Sequence, residues 1–220
     1  MALTSSRKIL SRRRLLIAAG SAALGGAAVP RRSAAAPLPP TPAQTAGPFY
    51  PKTLPADIDN DLVQIVGHGS QAGGTVTHVL GRILDPAGRP IPEAQVEIWQ
   101  CDGHGRYHHV DDRSAPPRDA DFQGYGRTIS GPDGSYRFRT IRPVPYPGRT
   151  PHIHFAIAAP GHPRLVTQMY VAGEPLNERD PVLAALRDPQ ARARVIVRLE
   201  PAPQIEPGAL SGTFDVVLGG

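Results

Sequence analysis

Residues 79–107 read V-L-G-R-I-L-D-P-A-G-R-P-I-P-E-A-Q-V-E-I-W-Q-C-D-G-H-G-R-Y, and the spacing of their apolar residues decides the fold. Alternate residues of a strand share a face. The stretch therefore reads as strand, glycine turn, strand, with Ile83, Ile91, Val96 and Ile98 facing a core. The pattern recurs outward from it, predicting strands at 76–85, 94–101, 124–130, 135–141, 151–159, 164–172, 194–201 and 212–218. Pro86-Ala87-Gly88, Pro132-Asp133-Gly134 and Pro160-Gly161 mark turns between them. One short helix is expected over 180–188, with Asp180 as its cap and Pro181 at its first position. About eight short strands with one short helix make an all-β sandwich. The 23 Gly and 26 Pro exclude a helical bundle or coiled coil, and a single cysteine, Cys101, excludes a disulfide framework or Cys-based zinc finger.

The excess positive charge sits at one end. The chain carries 24 Lys and Arg against 19 Asp and Glu, a formal +5. Seven of the bases, Arg7, Lys8, Arg12, Arg13, Arg14, Arg31 and Arg32, fall in residues 1–36, which hold no acid. Without them 17 bases face 19 acids, a balance of −2, so no nucleic-acid partner is expected. Residues 1–36 read instead as an export signal. Arg12-Arg13-Arg14 leads into the apolar run from Leu15 to Val29, and small residues follow at Ser33-Ala34-Ala35-Ala36. The run is shorter and less apolar than a span of roughly 20 residues. The arginine pair resembles a twin-arginine signal, which exports folded proteins. The expected location is periplasmic or secreted, with cleavage after Ala35 and no membrane contact afterwards; an uncleaved anchor is the alternative. Residues 37–50, beginning P-L-P-P-T-P-A-Q, form a Pro-rich arm unsuited to regular helix or central strand. Residues 51–220 form the sandwich domain.

Polar residues interrupt the strand pattern at three places. Beyond Trp99, a glycine-rich loop presents Tyr107, which on this segment alone reads as a half-buried loop aromatic. In residues 143–157, P-V-P-Y-P-G-R-T-P-H-I-H-F-A-I, His152, His154 and Ala156 share one face while Ile153, Phe155 and Ile157 face the core. Two adjacent histidines suit a metal ion, although a solvated pair is the commoner meaning of H-x-H. Tyr146 precedes His152 by six residues, in a Pro-Gly loop that also carries Arg149 and can fold back towards the imidazoles. In R-L-V-T-Q-M-Y, residues 164–170, Gln168 alone reads as an edge or hydrogen-bonded core glutamine. Together, two Tyr and two His provide neither carboxylate nor thiolate, unlike zinc, blue-copper or facial-triad ferrous sites. A phenol of pKa about 10 ionises only beside a highly charged ion. Two phenolates with two neutral imidazoles suit ferric iron.

These motifs resemble the intradiol ring-cleavage dioxygenase family, that of protocatechuate 3,4-dioxygenase and catechol 1,2-dioxygenase. The resemblance runs from T-P-A-Q-T-A-G-P-F-Y-P at 41–51 through Val79–Tyr107, Tyr146, Arg149, H-I-H-F and T-Q-M-Y, covering residues 41–175. It implies Tyr107, Tyr146, His152 and His154 as ligands of Fe(3+), with Tyr146 and His154 axial. It implies Arg149 beside the substrate, Gln168 near substrate and oxygen, and Tyr146 as a proton acceptor. The implied reaction opens a catechol-type ring with O2, between its two hydroxylated carbons, to a cis,cis-muconate-type diacid without reductant or organic cofactor. A homo-oligomer is compatible with the resemblance. One departure is the short Tyr146–His152 loop, with five residues between, where the well-known enzymes have a longer pocket wall. The chain also lacks the extra N-terminal helical region of the catechol enzymes, so the compact protocatechuate-like form is expected.

Two other readings remain at this stage. One is a non-catalytic β-sandwich binding or regulatory module, which needs none of the four ligands. The other is a periplasmic copper-binding protein built on the histidine pair, with His104, His108 and His109 as further donors; otherwise those three are solvated or near the pocket mouth.

Overall fold

A computed structural model describes residues 36–219; the export-signal reading of residues 1–36 lies, but for Ala36, outside them. Ten strands run β1 Val76–Leu84, β2 Gln95–Trp99, β3 Tyr125–Ile129, β4 Ser135–Ile141, β5 His152–Ala158, β6 Leu165–Val171, β7 Ile196–Val197, β8 Glu200–Pro201, β9 Leu210–Thr213 and β10 Val216–Val217. They form two sheets. In the first, β1 is flanked by β4 on one side and by β9 and β10 on the other, with β8 beyond β9. The second has the order β3-β2-β5-β6-β7. Val79, Ile83, Phe138 and Phe214 of the first sheet region meet Val96, Ile98, Ile153, Phe155 and Met169 of the second in one buried core. The all-β sandwich is therefore as expected.

The first six strands match the period-two reading to within a residue or two, most clearly β2 and β5, whose core faces (Val96 and Ile98; Ile153, Phe155 and Ile157) are wholly apolar. The later chain departs from it. In place of one helix over 180–188 there are two, α1 Pro181–Ala184 and α2 Pro189–Arg194, after a 3-10 turn at Pro175–Glu178. Asp180 does cap α1, accepting from the Val182 and Leu183 N–H groups at 3.0 and 2.9 Å. A second start signal, Asp188-Pro189, breaks the helix: Asp188 accepts from Gln190 N at 2.9 Å, and a residue before proline disfavours helical backbone. Arg194 thus belongs to α2, and the strand expected over 194–201 shrinks to the two-residue β7 and β8. The strand expected over 212–218 also divides, because the Asp215 carboxylate takes the Arg82 N–H at 2.8 Å and interrupts the ladder. At Gly81, where β1 crosses this break, a Cβ would lie 2.1 Å from the Phe214 carbonyl oxygen, so only glycine fits there.

Register on the second sheet sets the functional face. Trp99 lies opposite both Tyr125 and His154, and His154 lies opposite Gln168. One pair further along, His152 lies opposite Tyr170. Directly opposed residues project to the same side, so these aromatic and polar side chains share the face turned away from the apolar core. The Pro-rich arm crosses both sheets: Leu38 N donates to Pro86 O, Thr41 N to Val217 O and Gln44 N to Val166 O, at 2.7, 2.9 and 2.8 Å. Among the described residues no helix is long and apolar enough to cross a membrane.

Candidate active site

The loop after β2 is folded around a carboxylate. Asp102 Oδ1 accepts from His104 N and Arg106 N, and its Oδ2 accepts from Asp119 N at 2.8 Å. Asp112 then accepts from Tyr107 N at 2.7 Å. Tyr107 is consequently buried, 2% exposed, and not the half-buried loop aromatic its own segment suggests. The second tyrosine comes from a tight turn. Arg149 N donates to Tyr146 O at 2.9 Å, with Pro147 next and Gly148 at φ +82°, the Pro-Gly signature of a type II turn. This turn sets Tyr146 and Arg149 side by side, with Arg149 Nη1 3.4 Å from the Tyr146 hydroxyl. The short Tyr146–His152 loop is thus a compact turn leading straight into β5.

The four predicted donors converge. His152 Nε2 is 3.2 Å from His154 Nε2 and 3.5 Å from the Tyr107 hydroxyl. The Tyr146 ring lies 5.5 Å from both the Tyr107 and His152 rings, centroid to centroid. The histidines are 1% and 2% exposed, so they are not a solvated pair. His152 Nδ1 lies 2.6 Å from Thr150 O, which assigns its proton there and leaves the Nε2 lone pair facing the cluster. Trp99 stacks on His154 at 4.8 Å with planes 6° apart. Burial, reinforced by Arg149, pushes the His152 pKa down to about 4. Burial, His152 and Arg149 push His154 well below the usual histidine range. Both imidazoles are thus neutral donors. Burial raises both phenols, Tyr107 well above 10 and Tyr146 less, because Arg149 opposes the shift. Among the described residues no three His, Cys, Asp or Glu side chains converge as a metal site. An ion that takes more than the two imidazoles from this cluster would draw on tyrosine oxygen, and would have to be charged enough to ionise one buried and one half-buried phenol. The Cys101 thiol, which burial raises to about 12, is engaged with the Val144 carbonyl oxygen 3.6 Å away.

Arg149 and Gln168 join the cluster as one unit. Arg149 donates from Nη2 to Gln168 Oε1 at 2.5 Å and from Nε to Asp180 Oδ2 at 2.8 Å. Gln168 is fully buried in a central strand and donates to Thr45 O at 2.9 Å, so it is a core glutamine tied to the arm. Gln44 bridges the Gln168 N–H and the Tyr170 hydroxyl. Phe49 stacks on Tyr107 at 4.8 Å, and Tyr50 packs edge-on against Trp99 while donating to Glu97. At Gly47, φ +68°, a Cβ would stand 3.4 Å from His154 Cε1, so the arm closes over the imidazole. Of the further histidines, expected to be solvated or near the pocket mouth, His104 is exposed, His108 is half-buried and His109 is buried against Phe49. None of the three makes contact with the His152–His154 nitrogens. Asp102, Asp112, Asp180, Gln44 and Phe49 were not legible as site residues, although Asp180 was legible as a helix cap.

A cavity of about 220 Å³ borders Tyr107, walled by Phe49, Trp99, His108 and Tyr125. A cleft of about 110 Å³ borders Arg149 and Asp180. A larger concavity of about 650 Å³ beside Ile65, His68 and Phe122 touches none of the four donors, and the chemistry places the site with the smaller ones.

Comparison with known proteins agrees. The family model Dioxygenase_C, described as dioxygenase, matches residues 45–220. The protocatechuate 3,4-dioxygenase beta chain of Burkholderia cepacia is 38% identical over 182 residues, covering 79% of this chain and 77% of that one. The hydroxyquinol 1,2-dioxygenase of Nocardioides simplex is 34% identical, covering 64% of this chain; the chain spans 51% of that relative's length. Among solved structures, the dioxygenase domain of a dioxygenase–carbohydrate-binding protein fusion from Streptomyces sp. SirexAA-E superposes with a TM-score of 0.62 at 32% identity, covering 82% of this chain and 99% of that one. With a matching family model over four fifths of its length and a 38% identical relative covering 79% of it, the chain belongs to the intradiol ring-cleavage dioxygenase family.

Proposed function

We propose that this protein opens a catechol-type ring with O2 between its two hydroxylated carbons, using ferric iron held by Tyr107, Tyr146, His152 and His154. The observation that carries the reading is the buried convergence of two phenols and two neutral imidazoles without carboxylate or thiolate. Ferric iron, when bound, supplies a Lewis-acidic centre that ionises the phenols and activates a chelating diol towards O2. Everything else falls to the chain. Thr150 O fixes the His152 tautomer, and Trp99 fixes the plane of His154. Phe49, Gly47 and Tyr50 exclude water from the cluster, which strengthens every charge interaction inside it. The Tyr146 oxygen, half-buried and beside Arg149 Nη1, would as a phenolate take a proton from the incoming diol. Arg149 stabilises negative charge developing on the ring, and Gln168 orients Arg149. Both atoms of O2 enter the product, a cis,cis-muconate-type diacid, so no external reductant is needed.

We also propose export by the twin-arginine route to the periplasm or beyond, on the motif at Arg12-Arg13 and the weakly apolar run after it. Fractionation of cells producing the Arg12→Lys/Arg13→Lys variant tests it: export should fail, and unchanged export rejects the route. The enzymatic reading is tested by oxygen uptake of the iron-replete protein against catechol, hydroxyquinol and protocatechuate. Stoichiometric uptake with one of them is expected, and inactivity of iron-loaded protein towards all three contradicts it.

A further inference from the structure

Asp180 belongs to no motif that carries the family resemblance, yet its carboxylate is the most heavily engaged beside the cluster. Its side chain is fully buried. Oδ1 accepts from Val182 N and Leu183 N, and Oδ2 accepts from Thr150 N at 3.0 Å and from Arg149 Nε at 2.8 Å. The carboxylate is thus fixed by three backbone groups before it meets the guanidinium. Thr150 is itself anchored by its hydroxyl to Asn177 Oδ1 at 2.8 Å. A guanidinium offers five donors in a rigid plane. Here Asp180 takes Nε and Gln168 takes Nη2, which leaves Nη1 as the edge directed at the Tyr146 hydroxyl. The Arg149 side chain is only 12% exposed, so no solvent shell holds it in place of these partners.

We propose that Asp180 is a positioning residue for ring cleavage: with Gln168 it fixes the Arg149 plane so that Nη1 faces Tyr146 and the reacting ring. The inference rests on the ring-cleavage reading above. A carboxylate retained only to cap α1 would be replaceable by asparagine, whose oxygen caps a helix as effectively, and the loss of the Oδ2 bond from Thr150 N would fall equally on a background without Arg149. A carboxylate that aims Arg149 would not be so replaceable, because asparagine lacks the charge that holds the guanidinium.

The test uses the iron-loaded holoenzyme with whichever of the three rings it cleaves fastest, and compares Asp180→Asn, Arg149→Leu and the double variant. Asp180→Asn should retain iron and bind the ring anaerobically within about threefold of the parent, while kcat falls by about tenfold or more at little-changed KM. On the Arg149→Leu background, Asp180→Asn should cost less than about twofold further, since groups acting through one another are non-additive. The double variant leaves no unpaired buried cation, so it reports even where the single variant folds poorly. Parent-like kcat in Asp180→Asn, or a full additional loss in the double variant, overturns the proposal. Normal turnover in Arg149→Leu instead removes Arg149 from the reaction, and Asp180 with it, while leaving the iron reading intact.

Discussion

The two faces of the β3-β2-β5-β6-β7 sheet are both buried, by different means. On one face Ile153, Phe155 and Ile157 pack against Phe138, Phe214 and Val79 of the opposite sheet. On the other, His152, His154, Gln168 and Tyr170 are covered by the arm and by the two tyrosine-bearing loops. The first face is held by area removed from water. The second must partner every polar atom it buries, since an unpaired buried group costs about 1–3 kcal/mol. Most atoms there are paired, and the exceptions are informative: His154 Nδ1, Trp99 Nε1 and the Tyr125 hydroxyl have no partner among the described residues. A face that tolerates such costs is kept for chemistry rather than for stability.

That contrast can be broken by matched substitutions. Phe155→Ala should destabilise the protein by about 3–5 kcal/mol, as large core deletions do, without a specific effect on the site of whatever remains folded. His152→Ala and Tyr107→Phe should do the reverse, losing iron and activity while cooperative unfolding persists; metal analysis beside denaturant titration reads both. Arg149→Leu should keep iron and colour yet turn over roughly 10²-fold more slowly, the scale for a lost charge-stabilising donor. Stopped-flow kinetics check it, and near-parent turnover removes Arg149 from the mechanism. Gln44→Ala, in the arm, should cost about 1–3 kcal/mol and a few-fold in turnover by loosening Gln168 and Tyr170, in contrast to substitution of exposed Leu54. The smallest effect lies outside both faces. The hydrogen bond from Arg139, in spite of partial burial, holds Glu206 down at about 2. The stability it provides is therefore complete above about pH 4.5 and lost as pH falls towards 2. Glu206→Gln should flatten unfolding midpoints over that window.

Much of this was legible in the sequence because period-two spacing reports directly on a strand with one apolar face. Ile153, Phe155 and Ile157 reveal β5, and the same alternation puts His152 and His154 together. What the spacing cannot report is what covers the second face. Polar partners of Gln168 come from residues more than a hundred positions away, Gln44 and Thr45, and those of Arg149 and Thr150 from the carboxylate of a helix cap. Asp102 and Asp112 organise the Tyr107 loop through bonds to backbone N–H groups, which no side-chain pattern announces. The merged strands at 194–201 and 212–218 failed for a related reason. Residues 194–201 begin in a helix and then change sheets, β7 pairing with β6 and β8 with β9, and Asp215 interrupts the other ladder, although the apolar residues alone read as continuous.

In the proposed site ferric iron is held for ring cleavage by buried Tyr107, half-buried Tyr146 and two buried histidines. Metal analysis combined with the visible spectrum of the protein purified from iron-replete cells tests it most directly. One iron per chain and a red-brown phenolate-to-iron absorption, lost together in Tyr107→Phe, are predicted. A colourless protein holding zinc, copper or no metal, or a Tyr107→Phe variant with full iron and unchanged colour, contradicts it.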